Sequence, residues 1–287
     1  MFHNYQLRPM LLEEALKPFD DKNFLYEIKF DGIRALLYVS KNTFVIMSRN
    51  GVNLTNKYPE LKKIQELVGN HEVIFDGEIV AFQNDLPSFS LLQKRNRLKN
   101  VSDAIINDIP VFFIAFDIVY DNKDLTSWPL DKRKNILDKY LDNEVFIKSR
   151  VYHEGISLFK MVKKRGLEGI VAKNKKSVYT FCERTSDWIK VKNIQVDNFL
   201  VHGYQEKTNT YSLLLGEFKQ SKLKFVGKVS VNKHHEILKK LKNEKQIKNK
   251  FVNFLEYAIY VKPNILVRVH YLERTSKGAL RHATIDE

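Results

Sequence analysis

Apolar and polar side chains alternate over residues 26–31, and this pattern predicts a β-strand within residues 24–30. The apolar members fall on one face, whereas Glu27, Lys29 and Asp31 fall on the other. Asp31 is followed by glycine, which is a turn signal, so a second strand is expected over residues 33–39. The pattern alone leaves two interpretations open: a solvated surface hairpin, or a strand pair that presents a lysine between two carboxylates.

Periodicity along the rest of the chain predicts a mixture of strands and helices. Up to residue 193 it predicts strands at 43–47, 73–82, 110–120, 167–173 and 188–192, and helices at 10–16, 56–68, 86–100, 129–141 and 155–165. After a boundary near residues 193–196 it predicts strands at 198–205, 211–218, 223–231, 264–272 and 280–285, with one helix at 234–248. Five short strands with one helix are typical of an OB-type barrel, so the pattern predicts an α+β protein with domains at 1–193 and 194–287.

The net charge of the chain indicates which kinds of molecule the protein can bind. The 287 residues carry a net charge of +14, and residues 194–287 hold 17 Lys and Arg against 9 Asp and Glu. This excess indicates a polyanionic partner such as nucleic acid or, less specifically, a membrane surface. A single cysteine, Cys182, excludes an intrachain disulfide and a cysteine-based metal cluster. The sequence shows no signal peptide or transmembrane run, so we expect a cytoplasmic protein that does not enter a membrane.

Isolated charges within apolar strands are the candidate site residues. A lysine such as Lys29 can act as a nucleophile when it is neutral, which arginine cannot do. Glu78 and Glu168 each enter an apolar strand, where a carboxylate must be paired, bind a metal or lie at the mouth of a cleft. A salt-bridged acid at a sheet edge is the simpler interpretation of either residue.

Two lysines share a strand face near the end of the first domain. Lys190 and Lys192 alternate with apolar residues and have no acid between them, so they form a candidate phosphate site. An edge strand protected by lysine would show the same pattern. Arg49 follows a strand at a turn, where most arginines are only solvated. The pattern alone favours Phe116 as a core residue rather than a platform for a base.

Residues 29–34, Lys-Phe-Asp-Gly-Ile-Arg, are similar to the Lys-x-Asp-Gly-x-Arg signature of the covalent nucleotidyltransferases, which comprise DNA ligases, RNA ligases and mRNA capping enzymes. Further segments resemble that superfamily's other motifs in the same order: 48–51, 76–78, 113–117, 168–173 and 188–192. Residues 9–11, 87–89, 184–188 and 268–285 resemble small bacterial ATP-dependent DNA ligases, including the ligase module of end-joining enzymes. The resemblance implies a nucleotidyltransferase (adenylation) domain of antiparallel sheets with flanking helices, followed by an all-β OB-fold domain.

The resemblance also implies a reaction on DNA. Lys29 would attack the α-phosphorus of ATP, which gives a lysyl-AMP and releases pyrophosphate. Lys190 and Lys192 would hold the α-phosphate, and the AMP would pass to the 5′-phosphate of a nick in duplex DNA. The 3′-hydroxyl, oriented by Asp31, would then displace AMP and seal the strand, in DNA repair, replication or recombination.

Nucleotide and metal contacts follow from the same resemblance. Phe116 would stack on adenine, and Glu27 would help to read its exocyclic amine. Glu168 is the expected ligand of Mg²⁺, with Mn²⁺ as a substitute, and Glu78 would join it while mainly contacting the ribose. The arginines assigned to ribose, nucleotide phosphates, the 5′-phosphate of the nick or pyrophosphate are Arg34, Arg49 and Arg281.

Two other functions are compatible with some of the same motifs. An RNA ligase or a capping-type guanylyltransferase would use the same lysine, but the C-terminal segment resembles DNA ligases. A non-catalytic nucleic-acid-binding protein would need a decayed site, whereas Lys29, Glu168, Lys190 and Lys192 are all present. We therefore expect a monomeric ATP-dependent DNA ligase that acts on nicked duplex DNA.

Overall fold

The computed structural model describes residues 1–98, 100–275 and 277–285. The chain forms two compact units, Met1–Asn193 and Ile194–Glu287. Within the described ranges, no helix combines the length and apolar character needed to cross a membrane.

The first unit combines strands with short helices. Its elements are β1 (Leu11–Glu14), β2 (Phe24–Lys29), β3 (Ile33–Val39), β4 (Phe44–Ser48), α1 (Gln65–Val68), β5 (Val73–Gln83), β6 (Leu86–Pro87), α2 (Phe89–Arg97), α3 (Asp103–Asp108), β7 (Val111–Asp121), α4 (Leu130–Leu137), β8 (Phe146–Lys148), α5 (Gly155–Arg165), β9 (Gly169–Asn174) and β10 (Arg184–Lys192). Short 3-10 helices cover Thr55–Lys57 and Pro59–Ile64. The predicted bounds of β3 and α5 are confirmed.

Two sheets organise this unit. One has the strand order β1-β10-β9-β2, and the other has the order β4-β3-β5-β7-β8 with β6 paired to β5. Strands β2 and β3 are consecutive in sequence but belong to different sheets, so the surface-hairpin interpretation is wrong. The chain crosses between the sheets at Asp31 and Gly32. A Cβ atom on Gly32 would lie 2.2 Å from the carbonyl oxygen of Ile79, so the crossing requires glycine.

The polar face of β2 also differs from the prediction. Glu27 is buried, with an exposed fraction of 2%, and Leu25 on the same face belongs to a hydrophobic cluster. Tyr26 on the opposite face is buried in a second cluster. Both faces of β2 are covered because other elements of the unit pack against each of them. The alternation therefore identified the strand but did not identify a solvated face.

Two predicted helices differ in the structure. Residues 10–16 contain strand β1, which pairs in parallel with β10, because the backbone pairing and the burial of Met10 outweigh the local helical pattern. Residues 56–68 are helical but mostly of the 3-10 type. Tyr58 precedes Pro59 and adopts φ −135°, since a proline disfavours the α conformation of the residue before it.

The second unit is built on one antiparallel sheet. Its elements are β11 (Gln195–Glu206), β12 (Thr210–Lys219), β13 (Lys222–Asn232), α6 (Ile237–Asn243), β14 (Ile259–Tyr271), β15 (Glu273–Arg274), β16 (Leu280–Arg281) and β17 (Thr284–Ile285). The sheet order is β13-β12-β11-β14-β17, and α6 packs its apolar side chains into the same core. The predicted final strand is divided into β16 and β17, and the predicted helix is shorter than expected.

A fully buried ion pair joins α4 to β7 in the first unit. The Arg133 guanidinium donates to both carboxylate oxygens of Asp117, at 2.9 Å and 2.8 Å, and neither side chain is exposed. A further donor of Arg133 reaches the carbonyl oxygen of Ser177 at 3.0 Å. Such a pair stabilises the fold only while both partners are present, because either ion alone would be buried without compensation.

We expect replacement of Arg133 by methionine to lower the free energy of unfolding by about 3–5 kcal/mol, since Asp117 would remain as an uncompensated buried carboxylate. The measurement is urea unfolding followed by tryptophan fluorescence, which reports on the first unit because both tryptophans lie there. The control is Lys132→Met, which alters an exposed neighbour on the same helix. Equal losses in the two variants would contradict the role of the buried pair.

Candidate active site

One pocket is lined by residues from both sheets of the first unit. Its apolar lining consists of Leu12, Ile28, Phe30, Phe116, Val171 and Trp188. Its charged lining consists of Glu27, Lys29, Arg34, Glu78 and Lys173. Aromatic walls combined with several convergent charges are typical of a site for a small polar ligand with a flat ring.

Lys29 lies at the end of β2 and forms an ion pair with Glu168. Its Nζ atom is 2.7 Å from both carboxylate oxygens, and the side chains are 22% and 11% exposed. Lys29 lies opposite Gly169 in the pairing of β2 with β9, so Glu168, the residue before Gly169, lies within reach of the Lys29 side chain. The sequence placed Lys29 between Glu27 and Asp31, but its ion-pair partner, Glu168, comes from a distant part of the chain.

Glu78 lies on β5, opposite Arg34 on β3. Burial raises the pKa of Glu78 to about 8, and the negative charge of Glu168 raises it further. The positive charges of Lys29 and Arg34 act in the opposite direction but do not cancel the increase. The predicted acid in apolar surroundings is therefore a pocket residue. Its carboxyl group is largely protonated at neutral pH while no further cation is bound.

Glu27 forms ion pairs with two lysines, Lys134 and Lys173, which the sequence did not indicate as site residues. Its carboxylate oxygens lie 2.5 Å from Lys134 Nζ and 3.1 Å from Lys173 Nζ. Burial alone would raise the pKa of Glu27, but the two ammonium groups outweigh it and hold the pKa below its ordinary value. Lys134 comes from α4 and Lys173 from β9, and no local sequence signal links either to Glu27.

Lys173 also contacts the aromatic wall of the pocket. Its Nζ atom lies 4.3 Å from the ring centroids of both Phe116 and Trp188, a distance typical of cation–π contacts. Burial lowers the pKa of Lys173 to about 8, despite the opposing charge of Glu27. Phe116 is partly buried: it packs against a hydrophobic core cluster and also lines the pocket.

Arg34 is held against the second sheet by Asp76. Its guanidinium donates to the two oxygens of Asp76 at 3.1 Å and 2.7 Å, and the hydroxyl of Tyr179 donates to the same carboxylate at 2.6 Å. The guanidinium carbon lies 5.3 Å from the ring centroid of Phe116. The geometry fixes Arg34 in the pocket wall through a fully buried partner, which the sequence did not indicate.

Lys190 and Lys192 lie on β10 and share a carboxylate partner on β1. Their Nζ atoms are 3.2 Å and 2.9 Å from the same oxygen of Glu14. The sequence has no acid between the two lysines, but the sheet supplies one from the neighbouring strand. Burial alone would raise the pKa of Glu14, but Lys192 and Lys190 outweigh that effect and lower it.

Six predicted site residues lie outside the pocket lining: Asp31, Arg49, Glu168, Lys190, Lys192 and Arg281. Asp31 is half-buried in the connection between the sheets. Arg49 is exposed in the turn after β4, where its backbone N–H donates to the carbonyl of Arg34 at 2.9 Å. Arg281 belongs to the second unit, and its guanidinium donates to Glu273 at 2.6 Å.

Glu168 and Glu78 carry the type of oxygen ligand that a magnesium ion prefers. Among the residues that the structure describes, no three His, Cys, Asp or Glu side chains converge on a common point. Mg²⁺ is often bound by one or two carboxylates and takes its remaining ligands from substrate phosphates and water. The Glu168 carboxylate directs both oxygens at a cation, the Lys29 ammonium, so Glu168 could accept a metal ion in place of that ammonium.

Two family models together match most of the chain. Residues 9–192 match the ATP dependent DNA ligase domain, and residues 206–287 match the ATP dependent DNA ligase C terminal region. The two matched segments fall in the two compact units, and the first contains all the residues of the pocket.

Individual relatives agree with the family models. The SPbeta prophage-derived DNA ligase-like protein LigB of Bacillus subtilis is 31% identical over 278 residues, with 95% of each chain covered. The multifunctional non-homologous end joining protein LigD of Mycolicibacterium smegmatis is 29% identical over 291 residues, which cover 95% of this chain and 37% of LigD. The chain thus spans nearly all of LigB but only about a third of LigD.

Solved structures show the same fold. A mycobacterial DNA ligase D complexed with ATP and MES is 26% identical, has a TM-score of 0.63, and is matched over 99% of this chain and 95% of its own. The ligase domain of LigD from M. tuberculosis is also 26% identical, with a TM-score of 0.62 and the same coverage. The predicted fold class is confirmed: a nucleotidyltransferase unit followed by an OB-type unit. The chain belongs to the ATP-dependent DNA ligase family.

Proposed function

We propose that this ligase joins the 5′-phosphate and 3′-hydroxyl of a nick in duplex DNA, and that Lys29 carries the AMP. We assign residues 1–193 to adenylation and residues 194–287 to the OB-fold domain that helps to hold DNA. The observation that carries the proposal is the position of Lys29, in the lining of a pocket with aromatic walls and in direct contact with Glu168.

The first step transfers AMP to the protein. The neutral amine of Lys29 forms a bond to the α-phosphorus of ATP, the bond to the bridging oxygen breaks, and pyrophosphate leaves. The amine must lose a proton before or during this attack, because an ammonium group has no free electron pair. In the structure the ammonium donates to both oxygens of Glu168, so the attack requires this ion pair to open.

Lys190 and Lys192 would hold the α-phosphate through all three chemical steps. Both ammonium groups are partly exposed and lie within 3.2 Å of one acceptor oxygen, so a phosphate oxygen could accept from both. In the second step an oxygen of the DNA 5′-phosphate forms a bond to the AMP phosphorus, and Lys29 leaves as the amine. In the third step the 3′-hydroxyl attacks the 5′-phosphorus, with Asp31 orienting it, and AMP departs.

Adenine recognition would rest on the aromatic wall and on Glu27. Phe116 offers a ring at the pocket surface for stacking. Each carboxylate oxygen of Glu27 has one ammonium partner and keeps a further lone pair, which could accept from the exocyclic amine. We assign the remaining ribose and phosphate contacts to Arg34 and Arg49, and the pyrophosphate contact to Arg281 of the second unit.

We also propose Mg²⁺, with Mn²⁺ as a substitute, as the metal that Glu168 and Glu78 would hold. Such an ion supplies charge neutralisation for the phosphates when it is bound. The net charge of +14 supports binding of duplex DNA, and we propose that the ligase works as a monomer.

We expect Lys29→Ala to abolish both covalent labelling by ATP and sealing of a nick in duplex DNA, because no other group in this variant would accept AMP. The measurement combines gel detection of radiolabelled AMP on the protein with sealing of a 5′-phosphorylated nick. The variant should still seal a nick whose 5′-phosphate already carries AMP, since the last step forms no bond to Lys29.

The matched control is Lys160→Ala, which removes an exposed lysine from α5 and should retain full activity. Labelling of the Lys29→Ala protein would show that another residue is the nucleophile. Labelling of the wild type without sealing of nicked duplex DNA would overturn the proposed substrate and leave the nucleotidyltransferase chemistry intact.

The raised pKa of Glu78 makes the free energy of unfolding depend on pH. Its pKa is about 8 in the folded protein, whereas the ordinary value is near 4.5. Between these two values the folded state holds a proton that the unfolded state has lost, so this group contributes less stability as the pH rises. The Glu78→Gln variant has no titrating group at this position, so its free energy of unfolding should not fall with pH for this reason. Between pH 5 and 8 we therefore expect the stability of the variant, relative to the wild type, to increase by up to about 1.4 kcal/mol per pH unit.

Urea unfolding at pH 5, 6.5 and 8, followed by tryptophan fluorescence, measures this difference. The exposed Glu66 provides the control, since Glu66→Gln should give a difference that does not change with pH. A constant difference for Glu78→Gln as well would show that the Glu78 carboxyl is already ionised at neutral pH.

A further inference from the structure

Glu14 occupies the position on Lys190 and Lys192 that a phosphate oxygen would take. One oxygen of its carboxylate, Oε2, lies 2.9 Å from Lys192 Nζ and 3.2 Å from Lys190 Nζ. A single anionic oxygen that accepts from two ammonium groups reproduces the contact expected of a bound phosphate. The carboxylate and a phosphate cannot both occupy this point.

An irregularity in the sheet brings Glu14 to this position. Strand β1 pairs in parallel with β10, with Leu12 opposite Thr185, but the register shifts before the next residue. Without the shift, Glu14 would lie opposite Asp187, where two carboxylates would repel each other. With the shift it lies opposite Lys190. Leu12, two residues earlier on the same strand, lines the pocket, whereas Glu14 itself is not a lining residue.

The ion pairs of Glu14 with Lys190 and Lys192 are exposed enough for a phosphate to replace the carboxylate. The side chain of Glu14 is 42% exposed, and those of Lys190 and Lys192 are 21% and 31% exposed. Ion pairs with this degree of exposure contribute little to stability, because water and salt screen them. Glu14 is ionised at neutral pH, as an ordinary glutamate is, so its negative charge offsets one of the two positive charges of the lysines.

We propose that Glu14 is a positioning residue that acts as an exchangeable counter-anion for the phosphate site. It holds the two ammonium groups together while no phosphate is bound and releases them when a phosphate arrives. This inference rests on the proposed phosphate-binding role of Lys190 and Lys192. Its consequence is a lower affinity for anions than the two lysines alone would give, which favours release of AMP after the strand is sealed.

The test measures binding of the ATP analogue in which a methylene group replaces the oxygen between the α- and β-phosphorus atoms. This analogue cannot transfer AMP, so calorimetry on the full chain reports binding alone. We expect Glu14→Gln to lower its Kd by about threefold to tenfold at low salt, because the variant removes a competing negative charge. The gain should shrink as the salt concentration rises.

Steady-state sealing gives a second measurement. With Glu14→Gln we expect a lower KM for ATP together with a lower kcat, since phosphate groups would leave the site more slowly. A residue with a merely structural role would not lower Kd and KM while reducing kcat. The matched control is Glu13→Gln, which makes the same change of charge at the next position of β1 and should alter Kd by less than about twofold.

A combined Lys190→Met and Lys192→Met variant separates this inference from the proposed function. If Glu14→Gln lowers Kd in the wild-type background but has no effect in the lysine variant, which itself binds the analogue more weakly, the result supports the inference. If the lysine variant binds more weakly but Glu14→Gln alone leaves Kd unchanged or raised, the inference fails and the phosphate role of the lysines stands. If the lysine variant binds as tightly as the wild type, both fail.

Discussion

Charge compensation inside the first unit is the constraint on which the rest of the structure depends. Asp117 and Arg133 join β7 to α4, and Arg34 and Asp76 join β3 to β5. Glu27 on β2 joins α4 and β9 through its two lysines. An isolated ion at any of these buried positions would be strongly unfavourable, so each carboxylate must meet its cation in the folded chain. The walls of the pocket are held by these ion pairs as well as by apolar packing.

Exposure separates two kinds of ion pair in this unit. Arg133 and Asp117 are fully buried, and their partners are fixed. Lys29, Lys190 and Lys192 are between 21% and 31% exposed, and each meets a carboxylate that a ligand could displace. The fully buried pairs therefore fix the shape of the site, whereas the partly exposed pairs can open during a reaction. In this structure each predicted phosphate-handling lysine is paired with a carboxylate of the protein.

Local patterns predicted much of the secondary structure. The bounds of β3 and α5 follow directly from periodicity and from the glycine after Arg165, which adopts φ +67° as a helix C-cap. The prediction for β1 was wrong because a short apolar run fits either a helix or a strand, and pairing with β10 decides between them. The hairpin interpretation was wrong for a related reason, since a turn signal does not specify the sheet to which the next strand belongs.

The sequence by itself determined the chemical groups available, the order of the motifs, most of the strands and the excess of positive charge. It also selected Lys29, Glu78, Glu27, Phe116 and Arg34, all of which line the pocket. Only the tertiary structure decided which charges meet: Lys29 with Glu168, Glu27 with Lys134 and Lys173, and the two lysines of β10 with Glu14. These partners are far apart along the chain. Sheet register and packing between elements bring them together, and neither can be deduced from the spacing of residues within one segment.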